Sequence, residues 1–364
     1  MMLDFYKGKK VFITGHTGFK GSWLCKLLAN AGADVTGYSL NPPTSPSLFE
    51  IANIESDVKS VIGDIRDFDS LKKAFDEAQP EIVLHLAAQP IVRDSYKMPA
   101  YTYETNVMGT LKVFEACRKN NVKAIVNITS DKAYENKEWV WGYRENDPMG
   151  GYDPYSSSKG CADILATSYR NSYFNINEYK KTHNTLIATC RAGNVIGGGD
   201  WAKDRLITDI MISVSIGKKV SIRNPKATRP WQHVLEPLSG YLQIGQKLLE
   251  EKVEFAEAWN FGPSDEGSIT VEQVVQNVKK HWDKIDYEIN RDPNQLHEAN
   301  LLKLDCTKAN TILKWKDVWD SETTFEKTVK WYKAYYENNK EILTQNDLES
   351  YIADAKAKNI EWAI

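Results

Sequence analysis

The first half of the chain alternates between short runs rich in β-branched and aromatic residues and longer amphipathic segments. The apolar runs occupy residues 9–15, 34–40, 60–64, 81–87, 124–129 and 185–191. Amphipathic segments, such as residues 22–30 and 70–78, separate them. Strands that alternate with helices, several of them apolar on both faces, are typical of a parallel sheet that helices cover on both sides. The sequence therefore predicts an α/β fold built on a doubly wound parallel sheet.

The pattern changes after residue 192 to loops containing glycine and proline, scattered helices and a helical tail rich in Lys, Tyr and Trp. This change indicates a first domain over residues 1–192 and a smaller lobe over residues 193–364. An apolar run at 258–263 belongs to a return segment near 231–263 that is expected to add a strand to the first domain. The lobe is therefore expected to be interleaved with that domain.

Composition excludes several classes of function. A net charge of −3 gives no reason to expect nucleic acid or an anionic membrane as partner. The amino terminus has no apolar signal segment, and no apolar run approaches the roughly 20 residues of a membrane span, so a cytoplasmic location is expected. The five cysteines lie far apart without paired metal-ligand spacing. We therefore expect reduced cysteines and no metal site.

The first strand runs directly into GHTGFKG, which places Gly15, Gly18 and Gly21 at a strand-to-helix turn. Glycine permits the tight turn and the close approach of backbone amides to a pyrophosphate at the positive end of the next helix. Three glycines alone are weak support, but their position after the first strand of a βαβ unit favours a dinucleotide-binding, Rossmann-type domain.

The segment expected to hold the adenosine ribose lacks a residue that would bind the 2′-phosphate of NADP, which favours NAD. An acidic residue is usual roughly 20 residues beyond the glycines, but the chain has Tyr38, Ser39, Leu40 and Asn41 there. No arginine replaces it to bind a 2′-phosphate. Asp64, which ends the third strand, is a candidate partner for the adenine amino group. Alternatively, its carboxylate caps the helix that follows.

A Tyr-x-x-x-Lys pair is the candidate catalytic base. The chain contains three such pairs, beginning at Tyr6, Tyr155 and Tyr336, so the spacing alone decides nothing. The middle pair follows the fifth strand, and Ser130 lies at the carboxyl end of that strand, where such sheets bind ligands. On a helix, Lys159 shares a face with Tyr155 and is expected to lower the pKa of its phenol, which makes tyrosinate a usable base.

These motifs together resemble the extended short-chain dehydrogenase/reductase family, whose members mostly act on nucleotide sugars. Within it, the segments TSDKAYEN, EWVWGYRENDPMGGYDPYSSSKG, RAGNVIGGGDW, TRPWQHV and SLNPPTSPSLFE resemble the branch that dehydrates CDP-glucose. The matches span residues 9 to about 263, and the last hundred residues are less diagnostic. The resemblance implies NAD as cofactor, CDP-glucose as substrate and a 4-keto-6-deoxy sugar as product.

The resemblance also assigns expected roles to the catalytic residues. Tyr155 would remove the proton of the sugar 4-hydroxyl while hydride leaves carbon 4, and Ser130 would hydrogen bond to the 4-oxygen. Asp131 would protonate the leaving 6-hydroxyl. Lys132 occupies the position of the base that removes the hydrogen on carbon 5, where the wider dehydratase pattern has glutamate and the CDP-glucose branch has lysine. Hydride then returns to carbon 6.

Alternatives to these roles stay open at this stage. A lysine has an ordinary pKa of about 10.4, so Lys132 can act as a base only if it is desolvated or repelled by neighbouring cations such as Lys159 and the nicotinium ring. Lys132 could instead stay charged and stabilise the enolate while Glu135 takes the proton, or it could form only a surface salt bridge. Asp131 could merely cap a turn.

The full set of expected binding residues follows from the same comparison. Cofactor contacts are expected at Gly15, Thr17, Gly18, Phe19, Lys20, Gly21, Asn41, Asp64, Ile65, Leu86, Ala87, Ala88, Thr105, Tyr155 and Lys159. Substrate contacts are expected at Gln89, Asn194, Arg205, Leu206 and Arg229. The two arginines could clamp the diphosphate or form salt bridges between lobes. Trp139, Trp141 and Trp201 are expected to pack the loops rather than cover the site.

The resemblance also predicts that the protein forms an oligomer. In the family, the helix at about 101–119 and the helix carrying YSSSK pair across a dimer, so a homodimer or homotetramer is expected.

A cofactor-sensing regulatory protein is an alternative, but a sensor has no need of a phenolate base. A nucleotide-sugar 4-epimerase is a second alternative, because it needs Tyr155 and Lys159 but no acid to expel a hydroxyl. Asp131 and Lys132 favour the dehydratase.

Overall fold

The computed structural model describes residues 1–222, 224–263, 268–290 and 301–364, apart from the side chains of Arg229 and Ser268. Its strands alternate with helices throughout the first 192 residues. The strands are β1 (Lys10–Thr14), β2 (Asp34–Ser39), β3 (Lys59–Ile62), β4 (Ile82–His85), β5 (Ala124–Ile128), β6 (Leu186–Ala192), β7 (Asn194–Ile196), β8 (Val220–Ile222), β9 (Thr228–His233), β10 (Ala258–Phe261), β11 (Ser268–Thr270) and β12 (Tyr287–Ile289).

The helices flank these strands and form the carboxyl-terminal tail. They are α1 (Met2–Phe5), α2 (Phe19–Asn30), α3 (Leu48–Ile51), α4 (Phe68–Ala78), α5 (Val92–Lys97), α6 (Pro99–Tyr103), α7 (Thr110–Lys119), α8 (Pro154–Ser172), α9 (Leu206–Ser215), α10 (Leu235–Leu249), α11 (Val271–His281), α12 (Ser321–Glu337) and α13 (Thr344–Ala357). A π-helical turn, Glu104–Gly109, joins α6 to α7. No helix in the described parts of the chain combines the length and apolarity needed to cross a membrane.

Seven parallel strands form the central sheet in the order β10-β6-β5-β4-β1-β2-β3. The order reverses direction between β1 and β4, which creates a crevice at the carboxyl ends of these strands. The predicted doubly wound sheet is confirmed. β10 lies beside β6, with Trp259 opposite Cys190, so a late segment of the chain completes the sheet.

Alternate residues of the central strands enter two separate apolar layers. In β1, Val11 and Ile13 face the layer that contains α2 and α10, whereas Phe12 faces the layer that contains α4, α7 and α8. The same alternation separates Ile82 from Val83 in β4. Because successive side chains of a strand point to opposite faces, strands buried on both sides are mostly apolar at successive positions. This burial explains the apolar runs of the sequence.

Two small sheets lie outside the central one. The first has the order β11-β9-β7, and the second pairs β8 with β12. β7 follows β6 after a single residue, Gly193, and pairs with β9 through Asn194 opposite Trp231. This arrangement places β7, β9 and the start of α9 beside the carboxyl ends of the central strands, where they form the second wall of the crevice.

Candidate active site

A cleft of about 1820 Å³ lies at the carboxyl ends of the central strands, between the sheet and the segments around β7 and α9. Every predicted site residue except Arg229 lines this cleft. Arg229 lies in β9, but its side chain falls outside the described part of the structure. The residues predicted from the sequence are thus brought together from segments up to 191 positions apart, from Gly15 to Leu206.

The glycine turn forms a cradle that larger residues could not form. Gly15 has φ +79°, and a Cβ there would lie 2.8 Å from the backbone nitrogen of Ala87. A Cβ on Gly21 would lie 2.1 Å from the carbonyl oxygen of Gly15. Gly18 is the N-cap of α2, so the first amides of that helix face the cleft. This cradle fits the pyrophosphate of a dinucleotide, which binds at a helix N-terminus.

At the expected adenosine end, Asp64 is already engaged by a neighbouring arginine. The Arg66 side chain donates to Asp64 from Nε at 3.0 Å and from Nη2 at 2.7 Å, and this interaction lowers the pKa of Asp64. The helix that follows, α4, is capped by Asp67, which accepts from the backbone of Ser70. The alternative of Asp64 as a helix cap is therefore wrong. An adenine amino group that hydrogen bonds to Asp64 would share this carboxylate with Arg66.

The residues after β5 form a tight turn that faces the cleft. Ser130 is the N-cap of a 3-10 turn, Asp131–Ala133, and its hydroxyl accepts from the Lys132 amide at 3.2 Å. The same hydroxyl donates to Asp131 Oδ1 at 3.0 Å, and Asp131 is buried. Ser130, rather than Asp131, therefore caps this turn, and the alternative that Asp131 is merely a turn cap is wrong.

Lys132 is half-buried and lines the cleft. Within the described ranges it takes part in no salt bridge, so the alternative of a plain surface ion pair finds no partner there. Glu135, the alternative proton acceptor, is exposed, pairs with Lys137 and does not line the cleft. Lys132 is therefore better placed than Glu135 to reach a bound sugar.

Tyr155 and Lys159 project from the first two turns of α8, whose N-cap is Asp153. Burial raises the pKa of Tyr155 to about 12, while hydrogen bonding by Ser130 lowers it. Burial also lowers the pKa of Lys159 to about 8, and its ammonium donates to the carbonyl of Ile128 at 3.2 Å. The net shift of the phenol pKa is upward, opposite in sign to the shift expected from Lys159, because burial outweighs the neighbouring charges.

The predicted substrate residues occupy the wall around α5 and α9. Gln89 is held by the Ile91 backbone, and Asn194 opens β7. Arg205, the N-cap of α9, pairs with Asp200 at 2.6 Å. This ion pair is local, five residues apart, and not the bridge between lobes that was the alternative for Arg205. Leu206 follows in the first turn of α9.

All three tryptophans pack against other aromatic rings, and Trp141 does so edge-on against Trp139 although it is largely exposed. Trp139 stacks on Tyr143 with 5.3 Å between ring centroids. Trp201 also lines the cleft, and its indole nitrogen donates to the hydroxyl of Tyr336 at 2.9 Å. Trp141 is 68% exposed. Tyr336, from the third Tyr-x-x-x-Lys pair, therefore supports the rim of the cleft rather than its catalytic floor.

A buried polar network beneath the cleft was not anticipated from the sequence. Asp163, on α8 one turn beyond Lys159, forms two hydrogen bonds with the Arg191 guanidinium, at 2.8 Å and 2.7 Å. It also accepts from the Thr129 hydroxyl at 3.0 Å. Arg191 in turn donates to the Tyr134 hydroxyl at 2.6 Å. The i, i+4 spacing of Asp163 from Lys159 was the available signal, because these positions share a helix face.

This network links the elements that carry the candidate catalytic residues. Thr129 precedes Ser130, and Tyr134 follows the 3-10 turn. Asp163 joins both to α8, which carries Tyr155. Four buried groups therefore hold the turn after β5 against α8.

The chain is similar in sequence to proteins of one enzyme family. The family model described as GDP-mannose 4,6 dehydratase matches residues 12–330. CDP-glucose 4,6-dehydratase of Salmonella typhimurium is 53% identical over 96% of this chain and 98% of that protein. dTDP-glucose 4,6-dehydratase 1 of Escherichia coli is 25% identical over 89% of this chain and 92% of that protein.

Solved structures share the fold at lower identity. UDP-glucose 4-epimerase from Thermotoga maritima, solved with UDP-glucose, has a TM-score of 0.77 at 22% identity, covering 90% of this chain and 99% of that one. dTDP-glucose 4,6-dehydratase from Bacillus anthracis, solved with NAD, has a TM-score of 0.73 at 22% identity, covering 90% and 97%. The chain therefore belongs to the GDP-mannose 4,6 dehydratase family, within the extended short-chain dehydrogenases/reductases that its motifs resemble.

Proposed function

We propose that the protein is a CDP-glucose 4,6-dehydratase that uses NAD. The proposal is carried by the turn Ser130–Asp131–Lys132, which lies in one cleft with Tyr155 and Lys159. The similarity to the Salmonella typhimurium enzyme, over nearly the full length of both chains, supports CDP-glucose as substrate. The product would be CDP-4-keto-6-deoxyglucose, an intermediate for deoxysugar synthesis.

The first half of the reaction uses the two residues of α8 and the cap of the turn. Ser130 donates a hydrogen bond to the sugar 4-oxygen, and Tyr155 removes the proton of the 4-hydroxyl. The glycine cradle would hold NAD, which when bound would supply the hydride acceptor for carbon 4 and the hydride donor for carbon 6. The high pKa of Tyr155 must fall for this step, and the hydrogen bond with Ser130 and the positive charge of Arg205 both lower it.

The second half is the elimination of water. The ketone at carbon 4 acidifies the hydrogen on carbon 5, and Lys132 takes that proton. Asp131 gives a proton to the 6-oxygen, so the carbon–oxygen bond breaks and water leaves. When hydride reaches carbon 6, Lys132 gives its proton back to carbon 5, which completes the 4-keto-6-deoxy sugar. Asp131 is buried and lines the cleft, so its carboxyl group is available to a sugar bound there while being shielded from bulk water. A 4-epimerase would need neither group.

The activity is tested with the purified protein, NAD+ and a panel of nucleotide-glucoses. Alkali added after the reaction develops the ultraviolet absorbance of a 4-keto-6-deoxy sugar. We expect this signal with CDP-glucose. Signal with another nucleotide-glucose and none with CDP-glucose would overturn the substrate, and interconversion of epimers without the keto sugar would overturn the reaction.

We also propose that the protein acts as a homodimer or homotetramer. The π-helical turn and α8 expose Met108 and Ile164, which are 49% and 57% accessible. Apolar side chains on neighbouring helices form a face suited to a second copy of the chain. Sedimentation of the purified protein, compared with an Ile164→Lys variant, tests this interface. A monomer at micromolar concentration would overturn it.

A further inference from the structure

Lys20 is a half-buried cation in the glycine turn, and no described carboxylate forms a salt bridge with it. It lies in the first turn of α2, two residues beyond the N-cap Gly18, and lines the cleft. Across the described ranges, its ammonium has no hydrogen-bond or salt-bridge partner. Lysine is seldom buried without a partner, because removing its charge from water costs free energy. Such a group in a cleft calls for an anionic ligand.

The groups that face Lys20 belong to the reacting end of the cleft. Burial, followed by the positive charges of Arg205 and Lys159, lowers the pKa of Lys20 to about 8, and the negative charge of Asp131 opposes them. Asp64, at the expected adenosine end, is not among these groups. Lys20 therefore lies close enough to Arg205, Lys159 and Asp131 for their charges to shift its pKa, and all four residues line the same cleft.

The charges near Lys20 leave a net positive region. Arg205 is matched by Asp200 at 2.6 Å. Lys159 is held by a neutral carbonyl and lies a helical turn from Asp163, which is already paired with Arg191. Like charges held together in a partly desolvated cleft repel, and a ligand that carries negative charge relieves that repulsion.

We propose that the Lys20 side chain is a substrate-binding group that, with Arg205, holds the diphosphate of the nucleotide sugar. The backbone amides at the start of α2 remain available for the pyrophosphate of the cofactor. The backbone of this turn would then bind the cofactor pyrophosphate, and its Lys20 side chain would bind the diphosphate of the sugar nucleotide. This inference rests on the proposed function and reassigns Lys20, which the sequence had placed with the cofactor contacts.

The test compares three variants of the full-length protein. Lys20→Met removes the charge but keeps the length of the side chain, Lys20→Arg keeps the charge, and Lys26→Met is the matched control. Lys26 lies on the same helix, pairs with Asp57 and does not line the cleft. For each variant, KM and kcat for CDP-glucose are measured at saturating NAD+, and the Kd for NAD+ is measured by calorimetry.

We expect Lys20→Met to raise KM for CDP-glucose about tenfold or more, the range of a lost hydrogen bond to a charged group, with the Kd for NAD+ changed less than about twofold. Lys20→Arg should recover most of the affinity, and Lys26→Met should behave like the wild type. A weaker Kd for NAD+ with unchanged KM would assign Lys20 to the cofactor and overturn the proposal. Unchanged values for both ligands would overturn it as well.

Two controls keep the result interpretable. A thermal unfolding curve establishes that Lys20→Met folds, and Lys20→Gln replaces it if it does not. Failure of the wild type to convert CDP-glucose would contradict the proposed substrate and not the role of Lys20. In that case the same variants are compared with the nucleotide-glucose that the wild type does convert, and an unchanged KM for that sugar overturns the role.

Discussion

Replacing Asp163 with asparagine should destabilise the protein strongly, because the Arg191 guanidinium would lose its charge partner. The side chains of Arg191 and Asp163 are only 4% and 2% exposed, and their nearest atoms are 2.7 Å apart. Removing one partner of a buried ion pair costs about 3–5 kcal/mol, since the remaining charge stays buried without compensation. That loss is a large part of the roughly 5–15 kcal/mol that stabilises a typical protein.

Two other variants separate this effect from the loss of a single contact. Thr129→Val removes the 3.0 Å hydrogen bond to Asp163 but leaves the ion pair, so it should cost about 1 kcal/mol. Asp76→Asn breaks an exposed pair with Lys72 and should cost less than about 1 kcal/mol. Urea titration followed by tryptophan fluorescence gives the free energy of unfolding for each variant.

The Asp163→Asn variant should also change the pH dependence of catalysis. Asp163 raises the pKa of Lys159, against the burial that lowers it to about 8. Removing the carboxylate should lower that pKa further, so the loss of activity at alkaline pH should begin at a lower pH. An Asp163→Asn protein that loses less than about 1 kcal/mol and keeps the wild-type pH profile would refute the reasoning about this network.

Three further predictions concern the cradle, the base and a buried carboxyl group. Gly15→Ala should weaken NAD+ binding at least about tenfold, as measured by calorimetry. Gly8 is the control, because it also has positive φ but nothing lies within 4 Å of a new Cβ there. Gly8→Ala should therefore keep the affinity for NAD+ and lose only about 1 kcal/mol of stability. Lys132→Ala should keep hydride exchange at carbon 4 but stop solvent deuterium entering carbon 5, as read by mass spectrometry. Undiminished deuterium entry would remove Lys132 from the role of base. Burial raises the pKa of Glu236 to about 8. Above about pH 4.5 the unfolded chain loses this proton, whereas the folded protein keeps it. The free energy of unfolding should therefore fall as the pH rises from about 4.5 to about 8. Glu236→Gln should flatten that part of the stability curve in urea titrations at each pH, and an unchanged slope would count against this assignment.

The sheet could be predicted from the sequence because its signal is local. The inner strands of the sheet are buried on both faces and read as mostly apolar runs, as in β5, where all five residues are buried. The order of the strands is not local information, so the sequence predicted a doubly wound sheet but not the order of its seven strands. The position of Ser130 and Gly15 then followed, since each lies directly after a strand.

The electrostatic details could not be predicted, because they depend on which side chains meet across the fold. Arg66 lies two residues from Asp64, but nothing in the sequence indicates that it bends back to bind that carboxylate. Asp163 and Arg191 are 28 residues apart and meet only when α8 packs on β6. The phenol pKa of Tyr155 is likewise governed by its burial, which the spacing to Lys159 does not reveal.

Ser130 connects the two halves of the proposed reaction through one hydroxyl group. That group accepts from the Lys132 amide, donates to Asp131 and hydrogen bonds with Tyr155. A hydroxyl has one proton to donate and two lone pairs to accept with, so it cannot make every such bond at once with a substrate present. If it turns its proton to a sugar oxygen, it releases Asp131 Oδ1 for the 6-hydroxyl. Substrate binding would thereby prepare the acid for the elimination step, which explains why the acid directly follows the serine in this turn.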